Sequence, residues 1–269
     1  MSKNANDDHY LESGWSLTTP ADDTVMRQIV QAMGGDIVSL GHAADARTIV
    51  TDDFAASDVG IDGAFSNFAV LLRPLLPDRA TDVIGQIDAF YDVERAHGFA
   101  GVFSVWPSPE FGKAGWVLGG HPPAHYLPAG RHAPEDPQNV VIRPASSHAD
   151  LHAIIDCANA AYGTSADPAA LVSQHSLEDH RRRYWLAESE GRVAGGSSSW
   201  LGDQLTYVTL VATHPDFRRR GIGRAVTWRA SLAQPTLPAA LISTDEGRLL
   251  YDEMGFLRLL RLTLWYRHR

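Results

Sequence analysis

A chain of 269 residues, 44% hydrophobic and 20% charged, has the profile of a globular protein able to bury a core, and its length suits two modest domains. A formal net charge of -9 excludes a general affinity for nucleic acid, which requires a clustered positive surface. One cysteine, Cys157, excludes an intrachain disulfide framework, and the helical spacing of Leu151, Ile154 and Ile155 around it marks it as an ordinary buried thiol.

The first residues lack the basic-then-apolar order of a signal peptide, and no stretch approaches the roughly 18 apolar residues of a membrane span, so a cytoplasmic protein without membrane contact is expected. Residues 1–20 are polar. Val25, Met26, Ile29, Val30 and Met33 then recur at helical spacing and predict a helix that ends at Gly34-Gly35. Residues 41–64, rich in Asp, Ala and Gly, suggest no particular element. Residues 65–72 read as a buried strand closed by Pro74 and Pro77, and 79–97 as a helix with Val83, Ile84, Ile87, Phe90, Tyr91 and Val93 on one face. Two short strands at 101–106 and 115–118 follow, with loops at 106–110 and 119–123. Five prolines within 121–138 predict an extended linker and a boundary near Asp136, giving domains 1–136 and 137–269.

Beyond the linker, strands are expected at 140–143, 184–188, 192–200, 205–212 and 239–243, with one long final strand at 257–266. Helices are expected at 148–162, 221–232 and 248–254, with a short one between the first helix and the second strand. This alternation points to an α/β fold, a mixed sheet with helices on its faces.

The segment from Leu210 to Ala225 carries the strongest local signal: an apolar strand, a turn at His214-Pro215, then an arginine-rich, glycine-containing loop opening a helix. The first turn of a helix has unpaired N–H groups and partial positive charge. Gly221 and Gly223 let an anion approach the backbone, and Arg218, Arg219, Arg220 and Arg224 offer charge-assisted hydrogen bonds. A dinucleotide fingerprint would need glycine where Val226 stands, and the Gly-Lys-Ser/Thr of a P-loop is absent.

Arg218-x-x-Gly221-x-Gly223 after a strand is similar to the Q/R-x-x-G-x-G/A motif of the GCN5-related N-acetyltransferase (GNAT) superfamily, and Leu250-Tyr251-x-x-x-Gly255-Phe256 resembles that family's Leu-Tyr-x-x-x-Gly-Phe ending. The resemblance covers about residues 140–269. It implies a GNAT-type mixed sheet flanked by helices and acetyl-CoA as co-substrate. Val211, Ala212 and Thr213 would then run beside the pantetheine arm, Arg218, Arg219, Arg220, Gly221, Ile222 and Gly223 would hold the pyrophosphate, and Tyr251 would protonate the departing thiolate. Thr244 stands where many members have an asparagine that contacts the cofactor. The implied reaction moves an acetyl group to a primary amine of a small molecule or peptide by direct attack; a noncatalytic acyl-CoA-binding regulatory module is the alternative. Asp245, Glu246, Tyr207 and His214 are chemically able to act as base, with His214 and Asp245 better suited to turn or capping roles.

Other constellations carry less. His148 with His152 and His121 with His125 have i, i+4 spacing but no completing ligand, so no metal is expected and the histidines read as surface residues. Arg181, Arg182 and Arg183 read as a solvated helix end, and Ser197, Ser198 and Ser199 as strand residues that can face the substrate cleft. The N-terminal half has helices and strands in an order compatible with a degenerate second GNAT-like domain. Lacking the Arg-x-x-Gly-x-Gly loop, it is expected to wall the acceptor cleft and bind no acetyl-CoA. The oligomeric state is open, a homodimer included.

Overall fold

The computed structural model describes residues 24–61, 66–91 and 99–268; residues 1–20, the end of the helix expected to 97 and the start of the strand expected at 65 lie outside them. The first element is helix α1 (Val25–Ala43), capped by the Thr24 hydroxyl, which accepts from Arg27 N–H at 3.2 Å. It does not stop at Gly34-Gly35. A Cβ on Gly34 would meet Leu72 and Ala55 at 3.1 and 3.2 Å, and one on Gly35 would meet the Trp200 ring at 2.3 Å. The two glycines let α1 lie tightly between two sheets, so the pair serves close packing in mid-helix and does not terminate it.

Strands β1 (Arg47–Val50) and β2 (Phe54–Asp58) fill the stretch that suggested no element, followed by β3 (Phe68–Leu71), α2 (Ala80–Tyr91), β4 (Phe99–Ser104), the short α3 (Glu110–Lys113), β5 (Val117–Gly120) and β6 (Pro123–Leu127). The second half contributes β7 (Val141–Pro144), α4 (His148–Tyr162), α5 (Pro168–Leu171), β8 (Arg182–Ser189), β9 (Arg192–Leu201), β10 (Thr206–Thr213), α6 (Ile222–Ser231), β11 (Ala239–Ile242), α7 (Arg248–Glu253), β12 (Leu257–Arg261) and β13 (Thr263–His268). The expected α/β architecture is present as two mixed sheets, ordered β1-β2-β3-β4-β13-β5 and β12-β6-β11-β10-β9-β8-β7.

Two sequence expectations fail here for one reason. The expected linker contains β6, which lies between β11 and β12, and the expected long final strand breaks at Leu262 into β12 and β13, which belong to different sheets. Pro123 is tolerated because it opens its strand, where its carbonyl still accepts from Ser243 N–H at 3.0 Å. Each half therefore lends its last strand to the other half's sheet. In the first, the parallel pair β3–β4 is followed by the visiting β13 and then β5; in the second, the parallel pair β10–β11 is followed by the visiting β6 and then β12. The crossovers touch, Leu262 N–H donating to Pro122 O at 2.9 Å, and Leu262 is fully buried. The sheets thus interlock across residue 136 and do not divide there. From β8 onward the second half repeats the strand order that the first half has from β1 onward, with β7 as the one strand without a counterpart, in keeping with an N-terminal copy of the same fold.

Candidate active site

The site begins with an irregularity in β10. This strand pairs with β9 on one side, but with β11 only over Thr206, Tyr207 and Val208. Beyond them the register to β9 shifts between Thr209 and Ala212, and Leu210 takes a φ of 52°, a left-handed conformation that costs a branched residue about 1–2 kcal/mol. The bulge turns β10 away from β11. Backbone that would otherwise face a neighbouring strand instead faces a cavity of about 430 Å³, walled in part by Val211, Thr213, Gly223, Thr244, Leu250 and Tyr251.

At the end of β10 the chain reverses through a 3-10 turn at Pro215–Phe217, capped by His214, whose Nδ1 accepts from Asp216 N–H at 3.3 Å. Arg219 at φ 66° and Gly221 at φ 79° then aim the first turn of α6 back toward the cavity. Gly221 caps the helix and Ala225 N–H bonds its carbonyl at 3.1 Å, so the N–H groups of Ile222, Gly223 and Arg224 have no partner within the helix. A Cβ on Gly223 would lie 3.0 Å from Thr213 Oγ1, filling the gap between helix and strand. The Ile222 side chain points the other way, into a core with Ala187, Ala194, Phe217 and Val226, and Ala212 packs on Cys157 and Ala158. These two contribute backbone to the site and side chain to the core.

The arginines of the loop divide. Arg220 pairs with Glu190 at 2.5 Å, Arg224 with Glu253 at 2.8 Å, and Arg218 donates to Ala161 O at 3.0 Å. Arg219 is exposed and has no hydrogen-bond or ion-pair partner among the described residues. An anion at the start of α6 would meet Arg219 and the free N–H groups first.

Tyr251 on α7 is buried at the cavity wall, with its ring 5.7 Å from Phe256 and 5.4 Å from His125. Burial pushes its pKa well up, with a smaller contribution from Tyr162, so the phenol keeps its proton at neutral pH. Tyr162, the last residue of α4, donates to Val211 O at 2.5 Å, and burial pushes its pKa up to about 12. The Thr244 hydroxyl accepts from Gly247 N–H at 3.2 Å, which leaves its own hydrogen to donate. Of the four candidate bases, Tyr207 lines the cavity, His214 is the turn cap, Asp245 is tied to Arg261 at 2.6 Å and Glu246 is an exposed turn residue.

Several readings outside the motif change. Arg182 is no solvated helix end: its side chain is 1% exposed at the start of β8 and bonds Asp36 Oδ1 at 2.8 Å and Asp36 O at 2.7 Å. Burial opposes its charge, and Asp36 together with Tyr184 and Asp179 more than offsets this, raising the pKa. Ser197, Ser198 and Ser199 are fully buried in β9 and do not line the cavity; Ser197 bonds Val226 O at 2.9 Å. His125 is also fully buried, with Nε2 2.9 Å from Ser243 Oγ. Cys157 is the buried thiol expected, its pKa pushed up to about 11 by burial. No group of His, Cys, Asp or Glu among the described residues could hold a metal, and no described helix is long and apolar enough to cross a membrane. Tyr162 and Asp36 had no motif to announce them, since each reaches the cavity only through packing.

Residues 150–231 match the acetyltransferase (GNAT) family model. No curated protein matches the sequence significantly. Among solved structures, a GCN5-related N-acetyltransferase from Kribbella flavida is similar with a TM-score of 0.66 at 19% identity, over 88% of this chain and 95% of that one. A functionally unknown conserved protein from Staphylococcus epidermidis gives 0.58 at 14% identity over 84% and 95%, and a GCN5-related N-acetyltransferase from Sphaerobacter thermophilus gives 0.55 at 14% over 80% and 76%. At such identities the likeness is one of fold. Residues 150–231 are thus a GNAT-family acetyltransferase domain, built into a chain whose fold follows GCN5-related N-acetyltransferase structures over most of its length.

Proposed function

We propose that the protein is an acetyl-CoA-dependent N-acetyltransferase acting on a primary amine by direct attack. The observation that carries this is the opening between β10 and β11, which brings free N–H groups of α6, strand backbone and a buried phenol to one cavity. The pyrophosphate fits at Gly221 to Gly223 with Arg219 beside it, and the pantetheine arm fits along Val211 and Thr213. With the cofactor so held, a neutral amine attacks the thioester carbonyl. The C–N bond forms as the C–S bond breaks, Tyr251 gives its proton to the departing sulfur, and the proton lost by the amine passes to solvent. Backbone N–H groups aimed at the carbonyl oxygen supply the electrostatic part of catalysis, and a positioned proton donor contributes about 10²–10⁴-fold.

The experiment is release of free thiol from acetyl-CoA with a panel of amines, read beside calorimetric binding of CoA, for the wild type and Tyr251→Phe. The reading expects thiol release that requires an amine, and a loss of about 100-fold or more in kcat for the variant with CoA affinity retained. Thr244 in place of an asparagine, with its hydroxyl oxygen taken by Gly247 N–H and a single hydrogen left to donate, favours a second reading, a noncatalytic acyl-CoA-binding module with a weakened cofactor contact. That module would bind CoA and release no thiol with any amine.

A further inference from the structure

The cavity continues past the cofactor strand to a wall made by the other half of the chain. Met33, Ile37 and Leu40 of α1, Phe68 of β3, Phe103 of β4 and Leu264 of β13 line it, and all are apolar. Asp36, also on α1, is the one charged residue on the cavity wall among the described residues, and Tyr207 stands close enough to feel its charge. Asp36 is 3% exposed, and Oδ1 and the backbone carbonyl accept from Arg182. Oδ2 has no hydrogen-bond partner among the described residues.

The guanidinium does not cancel Asp36 alone. Its Nε donates to Ser39 Oγ at 2.9 Å, and Ser39 donates in turn to Asp179, whose charge also acts on Arg182. Two carboxylates share one cation; burial raises the Asp36 pKa against the lowering by Arg182, a strain that an incoming cation would relieve, and Asp36 Oδ2 is the oxygen left to meet a ligand. An ammonium group is the natural complement to such an oxygen. A second ionised group on the acceptor would have to be buried against Phe68, Phe103 and Leu264 without a partner, at a cost of several kcal/mol.

Resting on the acetyltransferase reading, we propose that the acceptor is a small primary amine with an apolar body, an alkylamine or arylalkylamine without a carboxylate, and that Asp36 is the specificity-determining residue that receives its ammonium group. The ammonium nitrogen lies at the boundary between the N-terminal wall and β10, where it gives up one proton to solvent before attacking as the neutral amine, and the apolar body fills the pocket between α1 and the crossover strand β13. The N-terminal half then supplies acceptor specificity, while the C-terminal half supplies the donor.

The test has two arms on the full chain, run after CoA binding has been measured by calorimetry. In the first, the wild type is assayed for thiol release with hexylamine and 2-phenylethylamine against glycine, glutamate and spermidine. The expected result is a kcat/KM at least tenfold higher for the two apolar amines. Equal or better turnover of the amino acids or the polyamine overturns the proposal, as does turnover of none of the five by a chain that binds CoA. In the second, Asp36→Asn is expected to raise KM for 2-phenylethylamine at least tenfold with KM for acetyl-CoA unchanged, and Asp36→Glu to recover part of the loss. A folded Asp36→Asn protein with unchanged amine KM overturns the role of Asp36. Should loss of the Arg182 partner prevent folding, the amine panel decides alone. Failure of CoA to bind is a different result, and it refutes the acetyltransferase reading itself.

Discussion

At the scale of single residues, the site's support is a set of buried polar groups whose protonation states packing has fixed. His125 shows this most directly. Its ring lies under Tyr251, Ser243 Oγ gives its own hydrogen to Thr244 O, and the oxygen therefore accepts from His125 Nε2, leaving Nδ1 buried and bare. Burial lowers the His125 pKa; Asp252 opposes the shift, and Arg258, Arg248 and Arg261 add to it. Because the folded pKa lies below the unfolded value of 6.5, the folded state binds fewer protons between the two. The associated stability is fully present above pH 6.5 and is lost as pH falls through the folded pKa. Thermal or urea unfolding from pH 7.5 to 5 is expected to show this loss, at no more than about 1.4 kcal/mol per pH unit for one proton. His125→Gln, which can donate to Ser243 without titrating, is expected to flatten the profile. An identical slope in wild type and variant contradicts this account of His125. Tyr251 was legible in the sequence because it sits in a spaced motif. Asp36 and Arg182 were not, because their meaning comes from a contact between residues 146 positions apart.

At the scale of elements, local pattern was a good guide wherever an element's role is local. Helix α4 covers 148–162 as its apolar spacing indicated, and the order of strands and helices from β7 to α7 follows the hydrophobic periodicity. Pattern misled where an element's neighbours come from afar. Gly34-Gly35 reads as a stop and is a packing notch, five prolines read as a linker and hold a central strand, and an unbroken apolar run is two strands in two sheets. The exchange has a thermodynamic consequence: removing β6 or β13 from either half opens the interior of the other half's sheet. Neither half can therefore melt alone. Calorimetry is expected to show one transition with matching calorimetric and van't Hoff enthalpies, and two separable transitions would contradict the exchange.

At the scale of the whole molecule, the two halves repeat one strand pattern but have kept different parts of the site. The N-terminal half has a strand-to-helix passage after β3, but its arginines there are spent on each other's neighbour: Arg73 and Arg79 both clamp Asp53, at 2.6 and 2.7 Å. No glycine opens α2 as Gly221 and Gly223 open α6. On the proposed reading one cofactor per chain is expected, held by the C-terminal half and faced by a wall from the N-terminal one. The most direct measurement is titration calorimetry of acetyl-CoA into the full chain, with ATP as comparison and Gly223→Val as control. The account predicts one site per chain, a clear preference over ATP and a loss of at least tenfold in affinity when valine fills the space beside Thr213. No binding of acetyl-CoA, an equal affinity for ATP, or an affinity indifferent to Gly223→Val would contradict it.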